Sequence, residues 1–171
     1  MIRKAERRDL PSVAALYDAV LDAETAAGRS FSNWKKGEYP TKSTASVAME
    51  AGTLYVGEEN GKLWGAVILN DCQLPEYDRV SWTIPAARVG VIHTLCIDPE
   101  ETGKGYARAL VAFCEERCRQ AGLSVMRLDT WEGNLPAHRL YEGMGYRVCG
   151  AVETFFQGVI PETLHCLEKR L

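Results

Sequence analysis

The chain has 171 residues, of which 46% are hydrophobic and 25% are charged, and its formal net charge at pH 7 is −3. A chain of this length can bury most of its apolar surface on folding, so we predict one domain over residues 1–171. The slightly acidic charge argues against a nucleic-acid partner, which would require a basic face, and the apolar runs are too short to span a membrane.

The sequence also indicates the compartment and argues against a metal. The segment MIRKAERRDLPSV has no apolar stretch of the kind found in secretory signal peptides. The six cysteines lie on a predicted helix or in apolar strand-like runs: Cys72, Cys96, Cys114, Cys118, Cys149 and Cys166. We interpret them as reduced core residues of a cytoplasmic protein. Zinc is the alternative, but no C-x-x-C pair or nearby histidine spacing supports it, so no metal is predicted.

The first half of the chain predicts a strand, two helices and a hairpin. Residues 2–6 form a short strand, and residues 8–28 show helical spacing of apolar residues, with Asp9 as the N-cap and Gly28 at the end. A weaker helix is predicted over residues 41–51. Two β-rich runs over residues 53–71 are joined at Asn60-Gly61, which is a strong hairpin signal.

The second half predicts alternating strands and helices after an irregular segment over residues 72–87. The strand ARVGVIHTLCID should be buried on both faces, because it is largely apolar. The helix that follows Gly105 is expected to end at Gly122, with Ala121 on its buried face and Glu115 facing solvent. A strand at residues 124–130, a helix at 134–142 and strands at 146–150 and 162–171 complete one α/β domain.

The letters TGKGYA, residues 102–107, raise the question of a phosphate site, because glycines that open a helix often surround a phosphate group. A P-loop does not fit, since Asp98 and Gly105 stand where it requires Gly and Ser or Thr. A dinucleotide fingerprint does not fit either, because Arg108 stands in place of its third glycine. A glycine turn that only connects a strand to a helix remains the simplest alternative.

Two longer segments, IDPEETGKGYARALVAFCEE and NLPAHRLYEGMGYRVCG, together resemble the GNAT superfamily of acyl-CoA N-acyltransferases. Ile97 and Pro99 match the V-x-P that ends a strand in this family, and residues 102–107 match its R/Q-x-x-G-x-G/A loop. Residues of the second segment match the family pattern N-x-x-A-x-x-L-Y-x-x-x-G-F/Y: Asn134, Ala137, Leu140, Tyr141, Gly145 and Tyr146. The resemblance implies a mixed, mostly antiparallel central sheet flanked by helices.

The resemblance implies that the phosphate is the pyrophosphate of coenzyme A. The implied cofactor-binding residues are those of the loop and helix start, the strand that pairs with the pantetheine arm, and an asparagine: Thr102, Gly103, Lys104, Gly105, Tyr106, Ala107, Arg108, Leu95, Cys96, Ile97 and Asn134. Thr102 departs from the usual Arg or Gln, which removes a charged contact near the pyrophosphate. Lys104 can add a point charge or can be an ordinary solvated lysine, and Asn134 can equally be a plain helix N-cap.

Two residues are candidates for proton transfer in the implied direct attack of an amine on acetyl-CoA. Tyr141 stands at the family's tyrosine and could protonate the leaving thiolate, although it could also be a packing residue. His93 is the histidine on the strand expected to face the thioester, and its ordinary pKa of about 6.5 suits a general base. The alternative for His93 is a core histidine satisfied by a neighbouring carbonyl.

The acceptor site is expected in the first half of the chain, where Trp34 and Tyr39 lie in an apparently irregular stretch and could form an apolar pocket wall. The alternative is that they hold this loop on the core. We therefore predict an acetyl-CoA-dependent N-acetyltransferase for a small or amino-acid-like amine. A protein N-acetyltransferase and a non-catalytic acyl-CoA-binding domain are the alternatives, and the sequence leaves a homodimer open.

Overall fold

A computed structural model of the protein describes residues 1–156 and 158–171, and of Phe156 the backbone alone. Within these residues lie seven strands, in the sheet order β1-β2-β3-β4-β5-β7-β6, and four α-helices. The strands are β1 (Ile2–Lys4), β2 (Leu54–Glu59), β3 (Lys62–Asn70), β4 (Gly90–Ile97), β5 (Val125–Trp131), β6 (Arg147–Phe156) and β7 (Ile160–Arg170). The helices are α1 (Leu10–Ala26), α2 (Lys42–Glu50), α3 (Tyr106–Gln120) and α4 (Leu135–Glu142).

The pairing directions confirm the predicted mixed sheet. β1 with β2, β2 with β3, β5 with β7 and β6 with β7 are antiparallel, whereas β4 with β5 is parallel. The predicted element order is also confirmed, with short 3-10 helices added at Arg7–Asp9, Pro75–Arg79 and Pro99–Glu101. No helix in the described part of the chain is both long and apolar enough to cross a bilayer.

The chain forms two compact units. The first comprises residues 1–30, 34–69 and 94–113, and the second comprises residues 31–33, 70–93 and 114–171. β4 and α3 therefore each contribute residues to both units.

In the first unit, α1 and α2 share an apolar cluster with the β2–β3 hairpin, in which Val13, Ala45, Val56 and Ala66 have no exposed surface. The hairpin turns at Asn60 and Gly61, both with positive φ, as a two-residue turn of this type requires. Asp9 lies at the N-cap position of α1, but its carboxylate makes no capping bond and instead accepts hydrogen bonds of 2.7 and 2.9 Å from Arg3.

In the second unit, β5, β7 and β6 form a continuous antiparallel ladder, and β4 pairs with β5 over three residues, Gly90, Val91 and Ile92. One face of these strands carries an apolar cluster that includes Val91, Val152 and Cys166, together with Tyr77 from the irregular segment. The long β6–β7 pairing extends the predicted strand at residues 146–150 as far as Phe156.

Three details of the sequence prediction are wrong. Glu115 is only 5% exposed, because Lys169 of β7 donates a 2.7 Å bond to its carboxylate and makes burial of the charge tolerable. Ala121 is exposed, since α3 ends one residue before it. β4 is not buried on both faces: Val91 is fully buried, but His93, Leu95 and Ile97 on the same side of the strand are half-buried.

The cysteines are all free, but not all of them lie in the core. Cys96, Cys114, Cys118 and Cys166 are buried, whereas Cys149 is half-buried and Cys72 is exposed. Burial raises the pKa of the Cys96 thiol to about 12, so this side chain is an inert thiol in the core.

Candidate active site

The glycine loop of the first unit has the backbone geometry that a phosphate site needs. Gly103 and Gly105 have φ values of +80° and +84°, a region that glycine adopts without strain. A Cβ added at either residue would meet no atom within 4 Å, so there is open space beside both glycines. Ala109 N–H donates to the Gly105 carbonyl in the first helical bond of α3, and the amides that precede it point out of the helix end.

Two lysines near this loop, Lys104 and Lys62, form ion pairs. Lys104 Nζ lies 2.6 Å from Glu101 Oε2, and this contact raises the pKa of the lysine. Lys62 Nζ contacts Asp98 at 3.0 Å and Glu100 at 3.1 Å. The Thr102 hydroxyl donates to the Pro99 carbonyl at 3.0 Å, so it shapes the loop. The predicted extra charge from Lys104 is therefore balanced by Glu101.

Tyr106 begins α3 and is fixed from two sides. Its ring stacks on Trp64 with centroids 4.3 Å apart, and its hydroxyl donates to Glu59 at 3.0 Å. Ala107, the next residue, is half-buried, whereas Arg108 is exposed. The stacked pair sets where the helix begins, and hence where its amides lie.

The second half of β4, also in the first unit, carries a backbone irregularity. Thr94 has φ of +46°, an unusual value for a β-branched residue. Its hydroxyl contacts the Tyr39 hydroxyl in a short hydrogen bond. Gly65 of β3 allows a close approach here, because a Cβ would come within 3.0 Å of the Cys96 carbonyl oxygen. Such strain persists only where the surroundings hold it, and it commonly marks a functional strand.

Trp34 and Tyr39, the predicted acceptor residues, contact each other edge to face with centroids 5.9 Å apart. Trp34 also packs against the apolar cluster of the first unit and lines an open recess of about 310 Å³ beside α1. Tyr39 reaches Thr94 on β4 instead. The two residues lie together as predicted, and they also hold the loop on the core.

His93 is the last residue of β4 in the second unit. Its Nε2 lies 3.1 Å from Asn70 Oδ1 and 3.2 Å from the carbonyl of Cys72. A carbonyl can only accept, so Nε2 bears the proton and Nδ1 holds the lone pair. Burial lowers the pKa of His93, and the bond to Cys72 offsets part of this effect. The imidazole is therefore neutral near pH 7.

Tyr141 and Asn134 lie on and before α4. The Tyr141 ring is 6% exposed and contacts Tyr146 edge to face at 5.6 Å. Burial, with Cys114 and Asp129 nearby, raises the pKa of Tyr141 well above 10, so the phenol keeps its proton in the resting protein. Asn134 Oδ1 accepts from the Ala137 N–H at 3.2 Å, which is the N-cap role foreseen as the alternative.

A polar group that sequence reasoning missed lies on the face of the second unit that carries Tyr77. Asp129 of β5 accepts a 2.7 Å bond from the Tyr77 hydroxyl, and Glu162 of β7 accepts one of 3.2 Å from Asn33. Burial raises the pKa of Asp129 to about 6 and that of Glu162 to about 7. A signal existed, since Asp129 is the acidic residue of a strand whose other residues include Val125, Met126 and Leu128. The described residues contain no cluster of His, Cys, Asp and Glu suited to a metal ion.

The family model of the Acetyltransferase (GNAT) family matches residues 14–146, which is most of the chain. The chain belongs to this family, as the sequence motifs predicted.

The chain is 29% identical over 97 residues to streptothricin acetyltransferase of Streptomyces lavendulae, a match that covers 57% of this chain and 51% of that protein. The chain spans about half or less of the length of the curated relatives it matches.

Solved structures confirm the fold. An acetyltransferase of the GNAT family from Streptococcus agalactiae superposes with a TM-score of 0.83 at 21% identity, over 100% of this chain and 95% of that one. An acetyltransferase of Salmonella typhimurium, solved with its cofactor acetyl-CoA, superposes with a TM-score of 0.71 at 20% identity. This match covers 100% of this chain and 93% of that one.

Proposed function

We propose that this protein transfers the acetyl group of acetyl-CoA to the amine of a small or amino-acid-like acceptor. The observation that carries the proposal is the open glycine loop at the start of α3, where Gly103 and Gly105 leave room for a phosphate beside outward-pointing amides. The acetyl-CoA bound to the Salmonella typhimurium structure supports the choice of cofactor.

The residues of the loop fit a pyrophosphate. The open space beside the two glycines is what a bulky anion needs, and the N-terminal end of α3 favours negative charge. Lys104 can turn from Glu101 to the anion, because both are side chains at the surface of one loop. When bound, acetyl-CoA supplies a thioester whose carbonyl carbon is attacked by the amine and whose C–S bond breaks. The half-buried side of β4, with Leu95 and Ile97, is proposed to accompany the pantetheine arm.

Tyr141 is proposed as the acid for the leaving sulfur. Its raised pKa keeps the phenol protonated until a thiolate forms. The overall reaction removes two protons from an ammonium: one ends on sulfur through Tyr141, and the other leaves through a base to solvent. The sequence predicts His93 as this base, and its neutral imidazole is compatible with that role.

The acceptor is proposed to be a small amine that contacts Trp34 and Tyr39, whose rings lie together beside β4. The name of the Streptomyces lavendulae relative, streptothricin acetyltransferase, supports this choice.

The test is turnover of acetyl-CoA with a panel of small amines, read as free thiol. Amine-dependent thiol release above the hydrolysis rate supports the proposal. Release only with peptides or proteins would assign the enzyme to protein acetylation. Tight binding of coenzyme A without release in either panel would indicate a non-catalytic binding domain.

A further inference from the structure

Asp129 lies on β5 in the second unit, one residue past the end of the parallel pairing of β4 with β5. That ladder pairs Val91 with Arg127 and ends with Ile92 opposite Leu128. Since side chains alternate along a strand, the next outward residues on the Val91 and Arg127 side are His93 and Asp129. Both residues are half-buried. Asp129 therefore stands on the same face as the histidine that the sequence selects as a base.

Tyr77 holds the Asp129 carboxylate from the loop that covers this face. The Tyr77 ring is 2% exposed, and its hydroxyl donates to Asp129 Oδ2 at 2.7 Å. Trp82 contacts the ring edge to face at 5.1 Å, and its indole N–H donates to the Tyr77 carbonyl at 3.0 Å. The Arg127 guanidinium lies 4.1 Å above the Trp82 ring. The Tyr77 hydroxyl is thus fixed on one carboxylate oxygen.

The loop itself is anchored to β7 through Glu168. This carboxylate accepts bonds of 2.7 Å from both the amide and the hydroxyl of Thr83 and one of 2.9 Å from the Ile84 amide. Arg127 donates to the Ile84 carbonyl at 3.3 Å. Five hydrogen bonds, donated by Trp82, Thr83, Ile84 and Arg127, hold the segment that carries Tyr77 in one place.

The groups around Asp129 come from four elements. They are Tyr77 and Glu76 of the 3-10 helix, Cys166 and Glu162 of β7, Tyr141 of α4, and Arg127 two residues earlier on β5. Burial raises the pKa of Cys166 to about 12, and the charge of Arg79 on the same 3-10 helix offsets a small part of this rise. Arg79 also donates to the Glu153 carbonyl at 3.0 Å. Arg127 is engaged by Gln73 at 2.7 Å and by Ile84. Within the described part of the chain neither arginine forms an ion pair with Asp129, and the Tyr77 hydroxyl is the donor to its carboxylate.

We propose that Asp129, in place of His93, is the residue that accepts the proton of the acceptor ammonium, and that Tyr77 is the positioning residue that holds it. The inference rests on the proposed function. In this step an N–H bond of the ammonium breaks and its proton moves to the carboxylate oxygen that Tyr77 does not hold. The electron pair stays on nitrogen and forms the bond to the acetyl carbon. Asp129 then releases the proton to solvent.

The acid strength of Asp129 agrees with this role. The pKa of Asp129 is raised to about 6. Burial and the negative charge of Glu76 raise this pKa, whereas the hydrogen bond from Tyr77 lowers it. A base with such a pKa is mostly ionised at pH 7 and is a better proton acceptor than an ordinary aspartate. Glu76 and Tyr77 shift the pKa of Asp129 in opposite directions. Substitutions of these two residues should therefore move this pKa in opposite directions.

The experiment compares the pH dependence of kcat/KM for the wild type with that of Asp129→Asn, Tyr77→Phe, Glu76→Gln and His93→Gln, using an amine that the wild type acetylates. We expect Asp129→Asn to lose about 10²-fold in kcat/KM at pH 7 and to lose the acid limb near pH 6. Tyr77→Phe should move this limb to higher pH, and Glu76→Gln should move it to lower pH. His93→Gln should keep the limb, whatever its effect on the rate.

The outcomes separate the two proposals. A wild type without turnover on any amine defeats the proposed function, and this inference with it. An active wild type whose Asp129→Asn variant keeps its rate and its acid limb defeats the inference alone, as does loss of the limb in His93→Gln. If Asp129→Asn does not fold, Tyr77→Phe and Glu76→Gln decide: opposite shifts support the assignment, and shifts that are absent or in the same direction overturn it.

Discussion

The Tyr77 hydroxyl donates a 2.7 Å hydrogen bond to Asp129 Oδ2, and the two residues are 52 positions apart in the chain. The carboxylate lies at the half-buried end of β5, where loss of hydration makes its charge costly and the Tyr77 bond offsets part of that cost. A group that is kept ionised against its surroundings reduces the stability of the fold. The same feature that suits Asp129 to accept a proton should therefore be visible in unfolding.

Asp129→Asn should stabilise the protein at pH 8. The pKa of Asp129 is raised from 3.8 to about 6 in the folded state, so its contribution to stability is fully present below pH 3.8 and is lost as the pH rises through 6. A neutral asparagine avoids this loss. We therefore expect the free energy of unfolding, measured in urea at pH 8, to rise by roughly 1–3 kcal/mol. The gain should shrink below pH 4. Asp78→Asn, at an exposed position in the same 3-10 helix, is the control, and an equal gain in both variants would contradict the explanation.

Gly105→Val should abolish coenzyme A binding in a folded protein. A valine side chain would fill the open space beside the loop, and at φ of +84° it would also strain the backbone. Gly28→Val is a matched control, because Gly28 also has a positive φ, +65°, and no atom within 4 Å of an added Cβ. Calorimetric titration should show binding to the Gly28 variant and none to the Gly105 variant. Equal affinity in the two variants would exclude the loop as the phosphate site.

Tyr141→Phe should lower turnover by about 10²-fold or more while coenzyme A affinity barely changes. Phenylalanine keeps the ring that contacts Tyr146 at 5.6 Å but has no proton to give to the leaving thiolate. Tyr146→Phe is the control, since its hydroxyl lies 3.6 Å from the Met126 sulfur in the core. Steady-state thiol release measures both variants. Turnover of the Tyr141 variant within twofold of wild type would make this tyrosine a packing residue.

Glu101→Gln should tighten coenzyme A binding. Lys104 now contacts Glu101 at 2.6 Å, and the substitution would release the lysine and remove a negative charge beside the proposed pyrophosphate. Because an exposed ion pair is weak, we expect an affinity gain of only roughly 1.5- to 5-fold at low salt. Glu100→Gln is the control for charge alone, because Glu100 contacts Lys62 instead. A gain of the same size in both variants would show that Lys104 is not the residue released.

The sequence by itself was sufficient for the features that depend on neighbouring residues. Asn60-Gly61 predicts the hairpin turn, and Gly103 and Gly105 predict the loop before α3. Both predictions are possible because the residue type alone determines whether a positive φ is adopted easily. The apolar spacing of α1 and α3 likewise predicts helices, and the two motifs together led to the family that the comparisons show. The functional roles of His93, Tyr141 and Trp34 remain predictions.

Tertiary structure alone decided which charged and polar side chains are buried and which residues form their hydrogen bonds and ion pairs. Glu115 looks like a surface residue of an amphipathic helix until Lys169, 54 positions away, contacts it. Asp129 looks like the polar end of a strand until Tyr77 binds it. Burial of a charge is stable only when a partner compensates for the lost hydration, and these partners come from distant parts of the chain. The periodicity of one segment cannot show which distant residue will supply that partner.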